Sequence, residues 1–244
     1  MEGSRIDVLG VGFDDVSIEN AVQRACDVMQ NGNKAYVVTP NPEIVWMCRR
    51  NEKLRAAING AGLVLPDGIG IILGARIIGK PLRNGRVTGI DFATALFEKM
   101  AESGGSVFLF GAKPSFAEEA GQKLSEVYPG LRIAGTADGY FDNDEPIIEL
   151  INKANPDFLI VCLGAPKQEL WILENLQKLN TSLCAVLGGS IDVFAGKVKR
   201  APVVFQKLGM EWFYRLVCQP SRIKRMIKLP LFVLAVLLSR IRGK

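Results

Sequence analysis

Phe158-Leu159-Ile160-Val161-Cys162-Leu163-Gly164-Ala165-Pro166 is an apolar run that stops at a turn. A run of this length with no polar face reads as a strand buried on both sides. Gly164 and Pro166 end it, and the spacing over 167–178 predicts a helix. The same unit recurs on either side. Residues 106–110 read as a strand, Gly111 to Ser115 as a turn and 115–127 as a helix. Residues 132–136 and 183–187 are strands, and 146–155 is a helix. Gly188-Gly189-Ser190 closes the last strand. Further back, 6–10, 34–38 and 63–65 are strands, and 17–30, 43–59, 69–78 and 88–102 are helical. This alternation predicts an α/β fold, a Rossmann-like and largely parallel sheet with helices on both faces.

Ligands of such sheets bind at the carboxyl ends of the strands. The Thr39, Asp67, Gly111, Gly164 and Gly188 turns are expected there. The chain has no histidine. Acid–base chemistry near neutral pH therefore falls to a carboxylate, a cysteine, a tyrosine or a perturbed lysine. Asp67, held between Pro66 and Gly68-Ile69-Gly70, is the carboxylate best placed for it. The plainer alternative makes Asp67 the cap of the following helix. Neither GxGxxG nor GxxxxGK[ST] occurs, which disfavours a nicotinamide oxidoreductase. Gly111-Ala112-Lys113 reads as an ordinary strand–helix turn before it reads as a phosphate loop. Asp142-Asn143-Asp144 resembles the DxD of metal-dependent sugar transferases. A solvated turn with Asp144 as helix cap is preferred, so no metal ligands are assigned. Five cysteines without a CxxC pair, in a chain lacking His, argue against zinc and read as reduced core residues of a cytosolic protein. The amino terminus has no signal-peptide pattern.

Charge is uneven. Residues 196–244 carry twelve Lys/Arg and one acidic residue, Glu211, whereas the whole chain is only +5. A catalytic domain over 1–195 and a basic, amphipathic helical appendage over 196–244 are expected, the appendage facing an anionic partner. Phe205 to Val217 has helical spacing, and Ser221 opens a second helix with Arg222 and Arg225 on one face. The apolar run 229–238 is too short for a membrane span, which takes about 20 residues. Flanked by Lys/Arg, it reads as an interfacial anchor on anionic lipid. The alternative is a helix packed on the body or on a second copy of the chain. Nucleic acid is disfavoured, because stacking aromatics are few.

Six stretches occur in order: Thr39-Pro40-Asn41-Pro42-Glu43, Leu65 to Gly70, Arg86-Val87-Thr88-Gly89, Gly164-Ala165-Pro166-Lys167-Gln168-Glu169 with Trp171, Gly188 to Asp192 with Phe194-Ala195-Gly196, and Arg200-Ala201-Pro202 followed by Glu211-Trp212. Together they resemble the WecG/TagA/CpsF family of bacterial glycosyltransferases, the TagA branch most. The resemblance implies transfer of N-acetylmannosamine from a UDP-sugar donor to a polyprenyl-diphosphate-linked N-acetylglucosamine, at the start of wall teichoic acid linkage-unit synthesis. It implies an inverting enzyme without a metal cofactor, peripheral on the cytoplasmic face of the cell membrane. The related branch uses N-acetylmannosaminuronic acid. A membrane-docked nucleotide-binding protein without chemistry is a further alternative. On this reading Asp67 is the base, and Thr39 and Asn41 hold sugar or acceptor. Arg86, Gln168 and Asp192 contact the donor, and Gly164, Gly188 and Gly189 are substrate-binding. Arg215, Arg222 and Arg225 neutralise diphosphate charge.

Overall fold

A computed structural model describes residues 5–220, 223 and 227–241. In chain order the first elements are β1 (Ile6–Val8), β2 (Val11–Phe13), α1 (Ile18–Asn31), β3 (Ala35–Val38), α2 (Pro42–Cys48), α3 (Glu52–Asn59), β4 (Leu63–Val64) and α4 (Ile69–Ile78). Then come α5 (Gly89–Ser103), β5 (Ser106–Gly111), α6 (Phe116–Val127), β6 (Arg132–Ala137), α7 (Asp144–Ala154), β7 (Phe158–Cys162) and α8 (Lys167–Asn175). A 3₁₀ turn at Leu176–Lys178 leads to β8 (Leu183–Val186), α9 (Ser190–Phe194), α10 (Val203–Lys207), α11 (Glu211–Cys218) and α12 (Lys228–Ile241). The chain forms two compact units that alternate along the sequence. One comprises Thr39–Thr88 with the described residues before Ile18 and from Arg200 onward; the other comprises Ile18–Val38 and Gly89–Lys199.

In the second of these units β3, β8, β7, β5 and β6 lie side by side in that order, all parallel. Val38 pairs with Val186, Val186 with Val161, and Val161 with Phe110, so the carboxyl ends of four strands come out level. Every residue of β5, β7 and β8 is buried, as the unbroken apolar runs require. Phe97 and Phe158, 6.4 Å apart between ring centres, anchor the core, and Phe97 meets Phe194 edge-on at 5.5 Å. Burying each such ring stabilises by about 1.5–3 kcal/mol.

The other unit departs more from expectation. β1 and β2 form an antiparallel hairpin about Leu9 and Gly10, whose φ values of 57° and 87° make the tight turn. Three residues of β2 are too few to reveal alternation in the sequence. The helix expected over 43–59 is two helices. Arg49 to Asn51 break it, and Asn51 restarts it by accepting from the Leu54 N–H at 3.0 Å. The helix expected from Phe205 to Val217 is likewise divided into α10 and α11. Gly209 lies between them at φ 69°, where a Cβ would come within 2.9 Å of Ile69 Cβ. α12 packs on α2 and α4, burying Phe232, Ala235 and Val236. Its other side exposes Leu231, Val233, Leu234, Leu237, Leu238 and Ile241. The helix is therefore apolar nearly all round, and its described cations, Lys228 and Arg240, sit at its two ends rather than along a face. Among the described residues no helix is long and apolar enough to cross a membrane.

Candidate active site

Asp67 lies three residues past the end of β4 and is half-buried. It is not the cap of α4. That position belongs to Gly68, which makes no side-chain cap bond and takes φ 88°. Gly68 and Gly70 are needed for a second reason. A Cβ on Gly68 would touch Pro42 Cδ at 3.4 Å, and one on Gly70 would press to 2.6 Å from Pro42 Cγ. The glycines thus let the Asp67 turn lie against Asn41-Pro42. Asn41 caps α2 by accepting from the Ile44 N–H at 3.1 Å through Oδ1. That bond leaves the amide's donor end for another partner. Thr39 lies two residues earlier and is also half-buried.

Arg86 joins the same turn through its neighbour, for Val87 N–H donates to the Pro66 carbonyl at 3.1 Å. Its guanidinium donates to the Gln206 carbonyl at 3.3 Å and stands 3.6 Å from Glu211. Arg200 reaches the same carboxylate at 3.9 Å. Two guanidinium groups thus converge on one carboxylate in a partly dried setting. Arg215 lies one helical turn beyond Glu211 on α11, hence on the same face. Arg222 and Arg225 lie outside the described residues.

Two carboxylates not singled out in the sequence fix this turn from behind. Asp14 accepts from the Val64 N–H at 2.8 Å and from Arg5 at 3.0 Å. Asp15 accepts from the N–H groups of Arg83 and Asn84 at 2.9 and 2.8 Å. Burial works against the Asp15 charge, but these N–H groups outweigh it and hold its carboxyl below the ordinary range.

The second unit gathers the other expected residues. Gly164, at φ 77°, follows β7. Gln168 Oε1 accepts from the Gly164 N–H at 3.2 Å, and Gln168 Nε2 donates to Glu169 Oε1 at 2.9 Å. Gln168 is 3% exposed and Glu169 2%, so Gln168 braces the turn from inside. Glu169 Oε2 has no hydrogen-bond partner among the described residues. Burial pushes this carboxyl up, only partly offset by Gln168. Cys162, the last residue of β7, links the neighbouring turn. Its thiol is buried, and burial pushes it up to about 12. Gly188, at φ 59°, and Gly189 form that turn. A Cβ on Gly189 would meet Asp192 Oδ2 at 3.5 Å. Asp144 does not cap α7; Asn143 does, accepting from the Glu145 N–H at 3.4 Å. Asp144 instead takes Trp171 Nε1–H at 3.0 Å and Asn175 Nδ2–H at 2.9 Å, one on each oxygen.

These turns carry the residue pattern of a known group of enzymes. The model of the glycosyl transferase WecG/TagA/CpsF family matches residues 6–244. An N-acetylglucosaminyldiphosphoundecaprenol N-acetyl-beta-D-mannosaminyltransferase of Bacillus spizizenii is 38% identical over 203 residues, 83% of this chain and 79% of its own length. The enzyme of the same name from Bacillus subtilis is 36% identical over 203 residues, with the same coverage of both chains. That of Staphylococcus aureus is 33% identical over 233 residues, 94% of this chain and 91% of its own length. With a motif set in the expected order, a parallel α/β fold and a match along nearly its whole length, the chain belongs to the WecG/TagA/CpsF family of glycosyltransferases.

Proposed function

We propose that this protein moves N-acetylmannosamine from UDP-N-acetylmannosamine to N-acetylglucosaminyl-diphosphoundecaprenol, with inversion, in making the linkage unit of wall teichoic acid. The observation that carries the reading is the Asp67 turn, seated against Asn41-Pro42 by two glycines and tied to Arg86, in a chain without histidine. The names of its relatives supply the acceptor and the sugar.

Inversion is one displacement, so one base must take the acceptor hydroxyl proton while the departing UDP is stabilised. Asp67 is that base. Thr39 and the donor end of the Asn41 amide hold the reacting sugar. Arg86, beside Arg200 and Glu211, offers its guanidinium to a diphosphate. Backbone at Gly164, Gly188 and Gly189 approaches the nucleotide closely, with Gln168 bracing the first turn and Asp192 bonding ribose or uracil. Arg215, Arg222 and Arg225 neutralise phosphate charge, as a metal ion does in other transferases. The reaction is metal-independent on this account; the bonds on both oxygens of Asp144 support that, since they commit it to α8. The basic carboxyl-terminal segment and the exposed leucines of α12 support docking on anionic lipid at the cytoplasmic membrane face.

The test is transfer by the purified protein to a short-chain N-acetylglucosaminyl diphospholipid, with UDP-N-acetylmannosamine or its uronic acid offered in turn, with and without chelator. N-acetylmannosaminyl product that persists in EDTA is expected. Transfer of the uronic acid alone would change the donor. Nucleotide binding without transfer would remove the catalytic reading. Loss of product in EDTA, restored by Mg²⁺, would make the reaction metal-dependent.

A further inference from the structure

We propose that a groove between α2 and α12 holds the first isoprenoid units of the acceptor's lipid, an inference that rests on the acceptor class proposed above. The groove has a volume of about 220 Å³. Trp46 of α2 and Arg49 just past its end line one wall, and Leu231, Leu234, Ala235 and Leu238 of α12 line the other. The Arg49 guanidinium lies 4.7 Å from the Trp46 ring centre, so one cation covers an otherwise apolar slot.

Its direction follows from two pins. Lys228, at the start of α12, pairs with Glu43 in the first turn of α2 at 2.9 Å. Arg240, near the other end of α12, donates to the Ile77 carbonyl at 2.7 Å. The slot therefore begins one turn past Asn41 and leads away from the Asp67 turn toward Leu9. At about 1.5 Å per residue, Trp46 is about 8 Å along α2 from Asn41. An acceptor sugar at Asp67 places its diphosphate in that interval and its hydrocarbon at the slot. The linked tail thus meets the groove at high effective concentration, an advantage that a bilayer lipid lacks. Lys228, paired with Glu43, marks the end of the slot nearer the Asp67 turn, and Arg49 lies farther along it.

The experiment titrates the full-length protein with farnesyl diphosphate and with inorganic pyrophosphate. The farnesyl compound is expected to bind at least tenfold more tightly. Ala235→Trp, which fills the slot, and Leu234→Gln, which makes its exposed wall polar, should each remove that advantage. Leu234 is 53% exposed, so its variant keeps the test open if the bulkier one misfolds. Equal affinities for the two compounds, or an advantage untouched in both variants, overturns the groove. In the transfer assay, KM should be lower for a C15 than for a C5 lipid acceptor, and the variants should abolish the difference. If no acceptor is glycosylated while farnesyl diphosphate still binds through the groove, the slot stands and the transfer reading fails. If the variants lose binding to plain anionic vesicles but not to farnesyl diphosphate, the groove seats the bilayer and the proposal is wrong.

Discussion

The turn that carries Asp67 and the turn that carries Gly164 both follow a buried strand, and each depends on a glycine at positive φ. They are built in opposite ways. Behind Gly164 the side chains are sealed: Gln168 spends both ends of its amide inside the protein, and Glu169 is buried as a carboxyl raised above its ordinary range. At Asp67 the side chain stays half-buried, and the fold spends two glycines to bring a neighbouring turn against it. A wall can be braced from within by uncharged groups. A group that must exchange a proton with substrate has to keep its approach open.

Three substitutions test that contrast. Asp67→Asn keeps shape and size, so the thermal midpoint and UDP affinity should not move. Turnover should fall roughly 10²-fold or more, the range for losing a general base. Near-normal turnover would make the two turns alike, both structural. Gly70→Ala comes next. Its Cβ would lie 2.6 Å from Pro42 Cγ, so the Asp67 turn must shift away from Asn41. Stability should fall by roughly 1–3 kcal/mol, as overpacking does. Activity should fall with it, read by chemical denaturation and by transfer rate. A fully active and stable variant would show that the close approach is dispensable.

The smallest effect is expected at Glu169→Gln. Because the folded-state carboxyl is raised, the folded protein holds its proton above the pH at which the unfolded chain, near pH 4.3, releases it. Wild-type stability should therefore decline as pH rises through and above that value, relative to the variant, which carries no proton to lose. Thermal midpoints from pH 4 to 8 would show the two curves separating by a few degrees. Parallel curves would mean that Glu169 is charged in the folded state, and that the sealed description of its turn is wrong.

What could be read in advance follows the same division. β5, β7 and β8 were legible because a strand buried on both faces must be continuously apolar, and their residues are. The turns after them followed from glycine and proline. The unit around Asp67 is held by contacts that no local pattern carries. Lys228 and Glu43 meet across 185 residues, and Asp14 reaches Val64 across 50. The breaks at Arg49 and Gly209 were missed because helical spacing persists through both. The Gly209 break answers a packing need at Ile69, not a local preference. Glu169 stands in the sequence beside Gln168 and near Trp171, yet its importance lies in burial, which is a tertiary property. Glu211 was likewise present in the Arg200–Trp212 stretch. Only the fold shows it between Arg86 and Arg200.

Inversion requires a single displacement, with Asp67 as its one base. The most direct measurement is the anomeric configuration of the product formed by the wild-type protein from an α-linked UDP-N-acetylmannosamine donor, read from the one-bond carbon–hydrogen coupling at the transferred sugar. A β-linked product is predicted. An α-linked product would require two displacements or a front-face route, and would contradict the role given to Asp67.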